Sequence, residues 1–176
     1  MVFADGSPDA DLMFIGEGPG FHEDKQGLPF VGAAGQLLNR LLADIGISRQ
    51  DVYICNVVKC RPPGNRDPLP DEIESCKPYL MEQIRLVDPK VIVTLGNFAT
   101  RFMLQRPTAI SRVRGERHPL DGRVVIPTFH PAAILRGGGD ASRQMDAIRA
   151  DFREVAAALD EARTSGPRVE EQLGLF

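Results

Sequence analysis

Three cysteines (Cys55, Cys60, Cys76) are too few, and of the wrong parity, for a disulfide framework, so a reducing, intracellular setting is expected. No apolar run approaches the ~18 residues of a membrane span. The opening MVFADGSPDAD has neither a basic stretch nor a long apolar one, and no secretory signal is expected. Neither sign of charge predominates, with 21 Lys and Arg against 24 Asp and Glu. The net charge is −3, and residues 151–176, with six acids and three bases, account for it, leaving residues 1–150 close to neutral. That balance excludes a protein that coats nucleic acid in bulk, though not one with a local basic patch. Internal repeats are absent. What is plentiful is glycine (17) and proline (14), which point to functional loops between compact elements. With 176 residues, 43% hydrophobic and 26% charged, the chain has room for one globular domain.

Four apolar runs rich in β-branched residues each end in a polar loop bearing glycine or proline: residues 12–20, 52–63, 91–99 and 124–134. Between them lie helical patterns. Leu37, Leu38, Leu41, Leu42 and Ile45 share one helix face, as do Ile73, Cys76, Leu80, Ile84 and Val87 behind a start at Pro70-Asp71-Glu72. Phe98, Phe102 and Met103 suggest a short third helix, and residues 141–162 a closing one. Residues 112–126 read as an antiparallel excursion turning near Asp121-Gly122. This alternation predicts an α/β fold, a three-layer α/β/α sandwich around a central, mainly parallel four-stranded sheet. One domain is expected over residues 1–162, with a flexible tail over 163–176.

In open α/β sheets ligands bind beyond the carboxyl ends of the strands. The GEGPG loop (16–20), Asn56, Gly96 and His130 all fall there and are expected to share one cleft. Each alone has a bland explanation. GEGPG lacks the G-x-G-x-x-G spacing, and no helix is expected directly after it. Asn56 is either a loop hydrogen bonder or, since an amide offers an acceptor beside donors, a reader of a base edge. His130 is either structural or functional. Phe30 either packs in the core or stacks on a flat ligand.

Together, GEGPGFHEDKQGLPFVGAAGQLL, NVVKCRPPGNRDPLPDEIESCKPYL, PKVIVTLGNFA and PTFHPAAILR resemble the family 4 uracil-DNA glycosylases, the iron–sulfur type of bacteria and archaea, from about residue 8 to residue 155. The resemblance implies an enzyme of base excision repair that flips uracil out of DNA and hydrolyses its N-glycosidic bond, leaving an abasic site. It implies that Phe30 stacks on the uracil, that Asn56 bonds its N3–H and O4, that Glu17, Gly18 and Pro19 line the pocket, and that His130 donates to O2. A better-known branch of the superfamily carries a water-orienting aspartate at the position of Gly18. Glycine cannot act so, leaving Glu17, Glu23 and Asp24 as candidates, with Glu23 preferred. The segment HPAAILR is expected to enter the minor groove, with Ile134, Leu135 or Arg136 filling the vacated space, and Lys59, Arg61, Arg66 and Arg136 to contact phosphates. A monomer working in the cytoplasm at a bacterial nucleoid follows. Covalent uracil-DNA binders of the superfamily carry a basic, histidine-containing loop near the second motif, which CRPPGNRDP lacks. A nucleotide-binding flavodoxin-like protein would explain the fold but not Asn56, His130 and the cysteine spacing together.

The resemblance also implies a [4Fe–4S] cluster on four cysteines. Cys60 and Cys76 match its second, C-x15-C pair. A C-x2-C pair expected upstream of the first strand is missing, so we read the N-terminus as truncated or the cluster as lost, and Cys55 as core. At the other end EEQLGLF resembles a sliding-clamp binding motif, with Gln172, Leu173, Leu175 and Phe176 as its contacts.

Overall fold

The computed structural model describes residues 1–165. In chain order the elements are β1 (Asp5–Gly6), β2 (Leu12–Gly16), α1 (Phe21–Gln26), α2 (Ala33–Asp44), β3 (Tyr53–Asn56), α3 (Pro70–Val87), β4 (Val91–Leu95), α4 (Asn97–Leu104), α5 (Ile110–Val113), β5 (His118–Leu120), β6 (Arg123–Thr128), α6 (Pro131–Arg136) and α7 (Arg143–Thr164). The sheet order is β1-β3-β2-β4-β6-β5. Its inner four strands are parallel, in the registers Phe14↔Ile54, Phe14↔Val93 and Val93↔Ile126. All residues of β2, β3 and β4 are buried, because helices cover both faces. This is why those strands are continuously apolar instead of alternating.

One face, with Leu12, Phe14, Ile54, Val93 and Ile126, packs on Leu38, Leu41 and Leu42 of α2, Ile134 of α6 and Ile148, Phe152 and Val155 of α7. The other, with Met13, Ile15, Cys55 and Ile92, packs on Leu80, Ile84 and Val87 of α3 and Ala99 and Met103 of α4. Three layers result, as expected.

The sheet has six strands where four were expected. The additions are the edge strands, both antiparallel: β1 on β3, and β5 on β6 through the turn at Asp121-Gly122. At two residues β1 is too short to leave a pattern. A helix does follow GEGPG directly, since α1 starts at Phe21 behind Gly20. HPAAILR forms the helix α6, with His130 as its N-cap and Pro131 at its first position. The excursion expected over 112–126 begins inside the helical turn α5. Among the described residues no helix is long and apolar enough to cross a membrane.

Candidate active site

β3 and β4 lie on opposite sides of β2, so the strand order reverses there, the kind of place beyond the carboxyl ends of the strands where open α/β sheets bind ligands. Gly16 ends β2 and faces Asn56, the last residue of β3. A β-carbon on Gly16 would stand 2.5 Å from Asn56 Oδ1 and 2.8 Å from Phe30 Cζ. Glycine therefore lets the main chain lie against both side chains. The Phe30 ring in turn lies 5.6 Å from the His130 ring, with the two planes 26° apart. Gly96, just beyond β4 at a φ of 93°, supports His130, whose Cβ is 3.1 Å from where a β-carbon would be. Residues 30, 56 and 130 thus meet at one place.

Asn56 is 2% exposed, and its Oδ1 has no hydrogen-bond partner among the described residues. An unsatisfied buried acceptor costs about 1–3 kcal/mol, so such an atom marks a place where a ligand donor is wanted. His130 Nδ1 accepts a hydrogen bond from the Ala132 main-chain N–H at 3.0 Å. The lone pair is thereby committed on Nδ1, which puts the ring proton on Nε2. Burial, seconded by the charge of Arg136, pushes the imidazole down to about 4. Around neutral pH His130 is an uncharged donor.

Of the acids, Glu17 is half-buried, and burial and then the charge of Asp67 raise its carboxyl. Glu23 Oε1 accepts from the Gly20 N–H at 3.3 Å and so ties the first turn of α1. Its Oε2 is buried without a partner among the described residues. Asp24 is exposed. Gly18 has no room for a larger residue, since its β-carbon would stand 2.6 Å from Val58 Cγ2. Pro19 is buried beside it.

Two residues expected at DNA are placed elsewhere. Lys59 is 1% exposed, and its ammonium donates to the Asn56 main-chain oxygen at 2.8 Å and to Gln83 Oε1 at 2.5 Å. It braces the end of β3 instead of meeting phosphate. Ile134 is fully buried in the α2–α7 core, because the α6 helix turns it inward and leaves Leu135 and Arg136 outside. Arg61 bonds Asn65 Oδ1 at 2.6 Å and lies over the Phe21 ring. Arg66 is exposed and grips Glu72 with two hydrogen bonds. Ile134→Ala is expected to cost about 2–4 kcal/mol of stability through the cavity it leaves. Leu135→Ala, at an exposed position, should leave the melting temperature unchanged. Thermal melts check both.

Cys60 is exposed and Cys76 half-buried, its Sγ accepting from the Lys59 N–H at 3.4 Å. The two thiols border one hollow of about 250 Å³. Among the described residues no group of three or more His, Cys, Asp or Glu could hold a metal, so two thiols do not fit a four-thiolate cluster. Cys55 is fully buried, its thiol pushed up to about 11 by burial. The clamp-motif residues 172–176 lie outside the described residues.

Two arginine clusters went unnoticed in the sequence. Arg49 holds the main chain at Pro29 and Phe30, and no pattern in SRQDV announces it. Asp151, 3% exposed, accepts from Arg114 and from the Thr128 hydroxyl at 2.7 Å, pinning the end of β6 two residues before His130. An acid on the apolar stripe Ile148, Phe152, Val155 was the available signal.

A family model for the uracil DNA glycosylase superfamily matches residues 3–153. The type-4 uracil-DNA glycosylase of Thermotoga maritima is 49% identical over 149 residues, spanning 82% of this chain and 77% of that protein. That of Archaeoglobus fulgidus is 50% identical over 138 residues, 74% and 69% of the two chains. That of Saccharolobus solfataricus is 45% identical over 167 residues, 90% and 76%.

Proposed function

This chain belongs to the uracil DNA glycosylase superfamily, and on that premise we infer that it is a uracil-DNA glycosylase, a hydrolase that excises uracil from DNA during repair. The observation that carries the reading at the site is the buried Asn56 Oδ1, without a partner among the described residues, beside Phe30 and His130. Uracil offers that oxygen its N3–H, and O4 can accept from the Asn56 amide. Cytosine offers an acceptor at N3 and a donor at position 4, the reverse pattern. A pocket with groups left unpaired rejects such an analogue strongly.

The flipped base stacks on Phe30. The His130 ring centroid lies 5.6 Å from that of Phe30, so His130 stands next to a base held there. His130 Nε2–H then donates to O2, where negative charge collects as the glycosidic bond breaks. Donors fixed in advance at a developing oxyanion are the largest electrostatic device available to such a site. The sugar becomes oxocarbenium-like, and water attacks its anomeric carbon. Glu17 and Glu23 are the proposed water-orienting groups, since Gly18 has no side chain and no space for one. Glu17 is half-buried with a raised carboxyl, and Glu23 Oε2 is buried without a partner among the described residues. We propose Leu135 and Arg136, exposed at the end of α6, as the elements entering the groove, and Arg61 and Arg66 as phosphate contacts. Because the cysteines do not fit a complete cluster, no step runs through one.

The test is a 5′-labelled oligonucleotide with a single uracil, incubated with the protein and then heated in alkali. Strand cleavage at the uracil position is expected. An intact strand overturns the reading, and a protein–DNA adduct resistant to denaturant would indicate covalent capture in place of turnover. We also propose, from the likeness of residues 172–176 to a clamp-binding motif alone, that a monomer is recruited to the replicating chromosome in the cytoplasm through that segment.

A further inference from the structure

Phe30 has a φ of 52°, in the left-handed region that an aromatic residue seldom occupies. A conformation of that kind persists only where its surroundings hold it. The main holder is Arg49, in the 3-10 turn Arg49–Asp51 that leads into β3. One guanidinium makes four hydrogen bonds: Nη2 to the Pro29 carbonyl at 2.6 Å, Nη1 to the Phe30 carbonyl at 2.9 Å, Nη1 to Asn39 Oδ1 at 3.0 Å and Nε to Asp5 Oδ2 at 3.1 Å. Asp5 on β1 and Asn39 on α2 orient the fork, and the fork grips two successive carbonyls. From another side Gly35 closes on the same place, since any β-carbon there would overlap the Phe30 carbonyl oxygen. The carbonyl is therefore wedged between α2 and the guanidinium.

Resting on the glycosylase reading above, we propose that Arg49 is a positioning residue for base stacking: it locks the Pro29-Phe30 main chain in its strained form so that the Phe30 ring lies against Gly16 and His130. Released, the peptide relaxes toward ordinary extended angles and carries the ring away from the slot. Two features favour this over a plain surface pair. Both bonds to the loop go to main-chain oxygens, which lock dihedral angles, and the side chain is only 20% exposed, so the bonds are partly shielded from water. Lysine cannot stand in, because a point charge does not span two carbonyls with a planar fork.

The test uses the full chain with Arg49→Ala, Arg49→Lys, Phe30→Ala and the double variant Arg49→Ala/Phe30→Ala. Single-uracil DNA is the substrate and free uracil the inhibitor. Misplacing a binding group by about 1 Å costs up to ~100-fold, so a loss of about tenfold or more in kcat/KM is expected for both Arg49 variants. The inhibition constant of free uracil should rise by a similar factor. In the Phe30→Ala background, removing Arg49 should change either quantity less than about twofold, because partners in one network are non-additive. Equal losses in both backgrounds, or unaltered uracil inhibition, would overturn the proposal. If Arg49→Ala fails to fold, as judged by circular dichroism, Arg49→Lys decides, since it keeps the charge; wild-type kinetics in Arg49→Lys overturn it. Failure of the wild-type chain to release uracil would strike the glycosylase reading instead.

Discussion

Asn56→Asp lowers uracil excision by about 100-fold or more and collapses the preference for uracil over cytosine, because a site built on paired polar groups loses most of its selectivity when one is inverted. The carboxylate keeps an acceptor for N3–H but loses the amide donor, so an anionic oxygen faces uracil O4. The same oxygen can accept from the amino group of cytosine. The position tolerates the exchange sterically, because the two side chains have the same shape. It also sits at the end of a strand whose main-chain oxygen Lys59 holds. Single-turnover excision from matched oligonucleotides bearing one uracil or one cytosine measures the ratio. An unchanged ratio would remove Asn56 from base reading.

His130→Ala is expected to cost about 10²–10³ in kcat, the usual loss for one donor at a developing oxyanion, with little change in KM. Its pH behaviour separates this role from that of an ordinary histidine. The folded-state imidazole titrates at about 4, well below the ~6.5 of an unfolded chain. The wild-type rate should therefore show no step across pH 6–7 attributable to this group. For stability the sign follows from linkage: the unfolded chain takes up the proton first, so the contribution of neutral His130 is complete above about 6.5 and erodes as pH falls toward 4. Melting temperatures of wild type and His130→Asn across pH 4–8 should diverge in that window and run parallel above it. A rate step near 6.5 that His130→Asn removes would contradict a neutral donor.

The inner sheet was legible because β2, β3 and β4 are buried on both faces and so carry unbroken apolar runs between turn residues. Asn56, His130 and Phe30 stood out because each interrupts an apolar run or a glycine-rich loop. Other features were hidden for physical reasons. Lysine ordinarily reads as exposed, and Lys59 is buried only because Gln83, from a helix 24 residues away in sequence, and the Asn56 carbonyl supply acceptors. Neither partner is visible by spacing. Ile134 was misplaced because a motif shows which residues are near DNA but not which face of α6 they occupy. Pro131 after a polar cap was a legible helix start. α1 is hidden because Gly20 offers no side-chain cap. The role of Arg49 depends on a backbone angle at Phe30, and an angle leaves no trace in composition.

The central strand pairs first with β3, some 40 positions on, and then with β4, where Leu12 meets Val91. Closing that second pairing requires a long excursion of chain to be immobilised, which makes it a slow, late event in acquiring the native state. His130 arrives later still, just beyond β6 as the N-cap of α6. While the polypeptide is being synthesised, the part bearing Phe30 and Asn56 leaves the ribosome well before the part bearing His130. On the roles proposed for these residues, a half-made molecule would lack the donor to the base, and the site would be complete only once the chain beyond β6 had docked.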